Sequence, residues 1–463
     1  MHRYLLSVLL LAGMLVTHEV QADQKAVKLT ALPYVVHEAQ LAHGLRVICV
    51  PWPGQSAVAY YTLVSVGSRN EVQAGYTGFA HLFEHMMFRG TKDYPGALFE
   101  SKLQALGADS NAYTTQDFTL YMTTVAAPML GSIIALEANR IKALSYSEQM
   151  FQTEAGAVLG EYHKSTSDPA EVMWERLSEL AFHVHPYRHT TMGTLADIQQ
   201  MPNHYRYSWD FFRRHYVPGN IVIIVVGDID PKRVVAQVRE QYHGLASTPP
   251  ARMAIPVDPE PTAESQAHIA WKGPSERRIL IGYRGMGLRL APSATRFTER
   301  LMAEYAALQV VHELAFGATS PLSQRWVVNE RVLTEFRSWQ GYVTRDPGLF
   351  VIEATFSQSG VPFETVVKGV QSELDKLKGS KISPRRIQAA RSHLLQDLLI
   401  GIDSPGDLAE LLAKFEGSAG SYGGLNAYLS MLRRVTAKDV AQVVSKYLRP
   451  HRRIAVTLTG TQS

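Results

Sequence analysis

The chain has 463 residues, 46% hydrophobic and 19% charged, a globular composition too long for one ordinary core that predicts roughly two to four domains. Its formal net charge of +4 is spread along the sequence, with only short pairs such as Arg385-Arg386 and Arg452-Arg453, and offers no tract for nucleic acid or an anionic membrane. One cysteine, Cys49, excludes an internal disulfide framework.

At the start, Arg3 precedes an apolar run from Leu5 to Val16, and a polar stretch ends in Val20-Gln21-Ala22. This pattern predicts a secretory signal peptide over residues 1–22, cleaved near Ala22, and hence a periplasmic or secreted protein with no stable membrane anchor. The run is too short for an ordinary transmembrane helix.

Strands are predicted at Gly44 to Val50, with Cys49 buried in it, and at Ala57 to Val66. Helical patterns dominate from Gly78 to Tyr216. The run Ile221 to Val226 is a buried strand bounded by turn residues, and Pro231 opens a helix to about Tyr242. Prolines at 249, 250, 256, 259 and 261 mark a linker over 248–265 between a catalytic unit, 23–247, and a second unit, 266–463. That second unit echoes the first. A strand at Arg278 to Tyr283 matches the one from Ala57, and Tyr447-Leu-Arg-Pro before Ile454 to Gly460 matches Tyr216-Val-Pro before the strand ending at Gly227. The echo predicts a duplicated α+β unit. Gly417 to Gly424, rich in Gly and Ser but lacking a phosphate-loop lysine, reads as a flexible connection.

The chemistry is concentrated in Thr77-Gly-Phe-Ala-His-Leu-Phe-Glu-His-Met-Met-Phe88, a helix for which Thr77 is the expected N-cap. His81 and His85 are one turn apart on one face, the spacing two zinc-binding imidazoles need, and Glu84 lies between them in an H-x-x-E-H pattern. The residues alone leave open an ordinary helix with two polar-face histidines. A second helix, from about Ser147 to Thr166, is expected to begin with a Ser145-x-x-Glu148 capping box. Its Glu154 and Glu161, two turns apart, either supply a third ligand and its support or are two solvated charges. Ser110 to Tyr121 reads as a polar hairpin turn, and His183, His185 and His189 as surface histidines. No G-x-S-x-G serine offers a rival hydrolase mechanism.

Gly78 to Thr91 resembles the signature of the pitrilysin/insulinase family of zinc peptidases, which includes the mitochondrial processing peptidases, and the likeness extends over the mature sequence. The resemblance implies two homologous α/β-sandwich units, the second without a metal site, and one zinc per chain. It implies a third ligand at Glu161, which follows the second histidine by 161 − 85 = 76 residues, and a supporting role for Glu154. It makes Asn111 and Ala112 part of an edge strand that holds substrate by β-augmentation. The implied function is a zinc-dependent endopeptidase acting on unfolded peptides or oligopeptides, with Glu84 as base. The alternatives are a non-catalytic or weakly active subunit of a two-component peptidase, and a binding module without turnover. Many members carry an arginine and, about seven residues on, a tyrosine that clamp the substrate carbonyl. Those positions fall here on Val328 and Glu335, while Arg325 and Arg331 are out of register by about three residues. The gap implies a heterodimer with a homologous subunit lacking the zinc motif, or else a homodimer.

Overall fold

The computed structural model describes residues 24–29, 32–251, 253–288, 298–340, 343–357, 360–379 and 381–461. The expected signal peptide lies outside the described residues. Among them, no helix is long and apolar enough to cross a membrane.

The first sheet holds β1 (Gln24–Lys28), β2 (Val35–Gln40), β3 (Arg46–Pro51), β4 (Ala57–Val64), β5 (Asp109–Thr114), β6 (Thr119–Ala126) and β7 (Ile221–Gly227), in the order β1-β2-β3-β7-β4-β6-β5. The second holds β8 (Ser265–Trp271), β9 (Arg277–Arg284), β10 (Leu333–Gln340), β11 (Leu349–Phe356) and β12 (Arg453–Gly460), in the order β10-β11-β9-β12-β8. Apart from β1 and β2, the two orders are the same. In each sheet the last strand runs parallel to the first of its set, β7 beside β3 and β12 beside β8, and the other pairings are antiparallel. The weak echo in the sequence is therefore a repeated topology.

β7 is apolar throughout because both faces of its sheet are covered. Ile223 and Val225 join Val47 and Cys49 against the helices Phe79–Met86, Tyr205–His215 and Pro231–Gln241. Val222, Ile224 and Val226 face the other way with Ile48 and Val50, against Leu408, Leu412 and Phe415 of Pro405–Ala419. Burial pushes the Cys49 thiol up to about 12, so it is an inert core residue. The exchange is reciprocal. Helix Pro169–Ala181, from the first half, lays Met173 and Leu177 on the second sheet against Leu280, Val351 and Val456. Each fully buried side chain of this size contributes about 1.5–3 kcal/mol, so neither half keeps its full core alone.

Two expectations are corrected. Gly417 is not in a flexible connection; it is buried in helix Pro405–Ala419, because absence of a side chain lets the helix approach the Phe118 ring. A Cβ at this position would overlap that ring. The helix Glu148–Ser165 is capped by Ser147, which accepts the Met150 N–H, and not by a box from Ser145. The described residues of the proline-rich stretch from 249 to 261 form neither helix nor strand, and the stretch is fastened rather than loose. The Asp258 carboxylate accepts the N–H groups of His183 (2.6 Å), Val184 (3.2 Å) and His185 (2.8 Å).

Alanine has the higher helix propensity by about 1 kcal/mol, yet Gly417→Ala should destabilise the protein. Overpacking against Phe118 is expected to cost about 1–3 kcal/mol, read as a lower unfolding temperature. An unchanged or raised temperature would show that the ring gives way freely.

Candidate metal centre

The helix carrying the histidines, Phe79–Met86, has only eight residues, too few to form without support. Phe79, Leu82, Phe83 and Met86 bury its apolar side, with Phe83 stacked on Phe211 at 5.3 Å between centroids. The cap is Gly78, not Thr77. Gly78 takes φ +90°, and a Cβ there would strike the Met192 carbonyl oxygen, so only glycine fits. Thr77, one residue too early to cap, donates its hydroxyl to Asp197 (2.7 Å) and accepts the Thr194 N–H (2.9 Å). A glycine cap has no side chain to offer the first turn. Glu71 takes that role, accepting the N–H groups of Gly78 (2.8 Å) and Ala80 (2.7 Å). Its burial pushes the carboxyl up to about 8 despite these donors. Sequence reasoning missed Glu71. The available signal was an acid shortly before a helix whose N-cap is glycine.

His81 and His85 stand on one face with ring centroids 4.7 Å apart. Glu161, from helix Glu148–Ser165, places Oε2 3.6 Å from His81 Nε2 and 3.4 Å from His85 Nε2. One ligand atom from each residue lies within 4.8 Å of the others, and among the described residues no other such group is found. Two ligands each about 2.1 Å from a tetrahedral ion are about 3.4 Å apart, so the spacing fits zinc. Glu154, two turns before Glu161, pairs with His85 Nδ1 at 3.0 Å and accepts from Arg89 at 3.0 Å. With Nδ1 so engaged, Nε2 faces the cluster.

The charges follow from these contacts. Hydrogen bonds to Glu154 and Glu161 push His85 up to about 9, while burial, then His85, pulls His81 down to about 4. Burial works to raise Glu154, but His85 and Arg89 hold it below the usual range; the His85 hydrogen bond lowers Glu161. A divalent ion must therefore displace one proton from His85.

Glu84 points elsewhere: Oε2 accepts the Thr114 hydroxyl at 2.6 Å, joining the helix to the end of β5. Burial pushes Glu84 up, offset in part by Thr114 and His85. Asn111 and Ala112 lie on β5 at the edge of the sheet, and Asn111 Oδ1 accepts the Ala112 N–H (2.9 Å). Of the three histidines read as surface residues, only His183 is exposed. His185 is buried, Nδ1 accepting the Tyr187 N–H (3.1 Å) and Nε2 against Asp346 (3.1 Å). Asp346 belongs to the second half, distant in sequence from His185. His189 is buried with Nδ1 on the Thr190 carbonyl (2.9 Å).

The family described as Insulinase (Peptidase family M16) matches residues 46–195, and that described as Peptidase M16 inactive domain matches residues 208–394. The zinc protease PqqE of Helicobacter pylori is 24% identical over 422 residues, spanning 89% of this chain and 90% of that protein. A solved protease from Helicobacter pylori shares the fold with a TM-score of 0.81 and 23% identity, over 95% of this chain and 100% of that one. The first half of the periplasmic protease PqqL from Escherichia coli does so at 0.74 and 18%, over 92% of each.

Metal analysis of purified protein should find one zinc per chain, lost in His85→Ala and Glu161→Ala. Glu154→Ala should weaken zinc binding by about 10- to 100-fold. Because His85 holds its proton up to about pH 9, zinc affinity should rise between pH 6 and 8. Full occupancy in Glu161→Ala, or an affinity flat with pH, would contradict the assignment.

Proposed function

Because the chain belongs to the insulinase family of peptidases, family M16, we propose that it is a zinc-dependent endopeptidase of unfolded peptides. The observation that carries this reading is the pairing of a three-ligand cluster with a separate carboxylate, Glu84, held by Thr114 on an open sheet edge. Zinc, when bound, supplies a Lewis acid for the scissile carbonyl and makes water easier to deprotonate. Glu84 takes the proton from the attacking water and delivers it to the leaving amine. Burial raises its pKa above the ordinary carboxylate value, which makes it a stronger proton acceptor.

β5 is the strand to which substrate adds, with Asn111 and Ala112 exchanging main-chain hydrogen bonds with an extended peptide. Alternate side chains of such a peptide point to opposite faces. Thr114 meets Glu84 of the histidine helix, and beside it Tyr113, Phe118 and Val343 line a cavity of about 330 Å³. The amino-terminal segment supports export to the periplasm or beyond.

A homologous partner completes the site. Val328 is half-exposed and apolar, and Glu335 on β10 is paired with Arg337 (3.1 Å), so neither can donate to a substrate carbonyl. Arg325 is held by Glu330 at 2.6 Å. A subunit lacking the zinc motif supplies the missing arginine and tyrosine.

Glu84→Gln should keep its zinc and lose peptidase activity by at least about 100-fold, in an assay with an unstructured peptide; a near-normal rate would remove Glu84 as base. Peptide hydrolysis by the purified chain should be stimulated by such a partner. Full activity alone, unchanged on mixing, would reject the two-subunit arrangement.

A further inference from the structure

Ser68–Asn70 form one 3-10 turn, and the buried side chains on either side of Asn70 point to different halves of the molecule. Glu71 caps the histidine helix. Arg69 reaches into the second half, pairing with the Asp346 carboxylate, with Asp117 3.8 Å away. The turn is pinned to the β5–β6 connection, where Thr115 and Gln116 carbonyls accept the N–H groups of Ser68 (3.4 Å) and Arg69 (2.8 Å). That connection is itself held from across the junction, where Asp117 accepts the Arg345 N–H (2.8 Å), and from within the first half, where Asp117 accepts the Tyr187 hydroxyl (2.8 Å). Asp346 is buried against His185 as well as Arg69.

We propose that Glu71 is a positioning residue for the metal centre, and that Asp346 of the second half sets it through Arg69. The assignment rests on the zinc reading above and extends it: the half without metal ligands fixes the orientation of the helix that bears two of them. The geometry is direct. A rigid turn carries the guanidinium and the carboxylate two residues apart, so displacing one displaces the other. The helix it caps is one turn from Gly78 to His81, and a shift of its start moves both imidazoles against Glu161, which comes from a different helix. Each Glu71 carboxyl oxygen takes a different N–H of the first turn, so an amide in its place loses one of the two acceptors.

The test uses shape-conserving variants of the full chain, Glu71→Gln and Asp346→Asn, checked for folding by circular dichroism. Zinc dissociation constants from chelator competition should weaken by about 10- to 100-fold for Glu71→Gln and by about tenfold for Asp346→Asn. The visible absorption of the cobalt-substituted protein should shift in both. Glu416→Gln is the control: it breaks a different buried contact between the halves, with Arg46, and should lower thermal stability while leaving zinc affinity and the cobalt spectrum unchanged. Amide exchange in the metal-free protein reads the same coupling without zinc, and both variants should exchange several-fold faster over residues 78–82. Wild-type zinc affinity and exchange in both variants would overturn the proposal, as would equal zinc weakening in Glu416→Gln. A wild-type chain that binds no zinc would instead sink the metal assignment, and the exchange data would still judge the coupling.

Discussion

The approach of Glu161 to two imidazoles, 3.6 and 3.4 Å away, is the contact on which the rest of the molecule depends. Separate helices supply the two sides of it, and neither would hold its polar groups there unaided. The apolar side of Phe79–Met86 is driven into the first sheet, where Tyr121 donates its hydroxyl to the Phe83 carbonyl at 3.1 Å. That leaves His81, Glu84 and His85 facing outward from the core. Burial of His81 withdraws water from a group that needs a partner, and helix Glu148–Ser165 brings Glu161 to it and Glu154 to His85. A divalent ion bound among these three side chains would replace hydration that folding has removed.

Precision at that contact comes from outside the histidine helix. Gly78 allows close approach of the Met192 backbone, Glu71 closes the first turn, and Thr114 ties Glu84 to β5. The Glu71 turn and the end of β5 converge on the buried cluster of Arg69, Asp117, Tyr187 and Asp346. Burial opposes ionisation of Asp346, but His185 and Arg69 hold its carboxyl well below the usual range, so it stays ionised opposite the Arg69 guanidinium. The exchanged helices, Pro169–Ala181 on the second sheet and Pro405–Ala419 on the first, make the same point with apolar area. Each half is thus held in place by contacts from the other.

Much of this was legible in the sequence, for identifiable reasons. β3, β4, β7, β9 and β12 could be read because their apolar runs are buried by layers on the sheet faces. β10 and the buried, apolar β11 were passed over, and β1, β2 and β8 were not read either. The last three are polar strands toward sheet edges, and β8 alternates half-buried with exposed residues without a strong apolar pattern. The pairing of His81 with His85 was legible because helix periodicity is local, whereas Glu161, on a separate helix, was implied only by the family resemblance. His185 was misjudged because its partner, Asp346, is 161 residues away. Gly417 was misjudged because a glycine-rich stretch looks the same whether it is loose or pressed against a ring. Thr77 was misjudged because a left-handed glycine can move the start of a helix by one residue.

The family, the topology and the geometry of the cluster converge on one bound ion, and the ion itself is the most direct test. Crystals of protein purified without chelator should show one anomalous peak per chain at the zinc absorption edge. The account predicts that peak about 2.0–2.2 Å from the Nε2 atoms of His81 and His85 and from a Glu161 carboxylate oxygen. No peak at the edge, or a peak held by other residues, would contradict it.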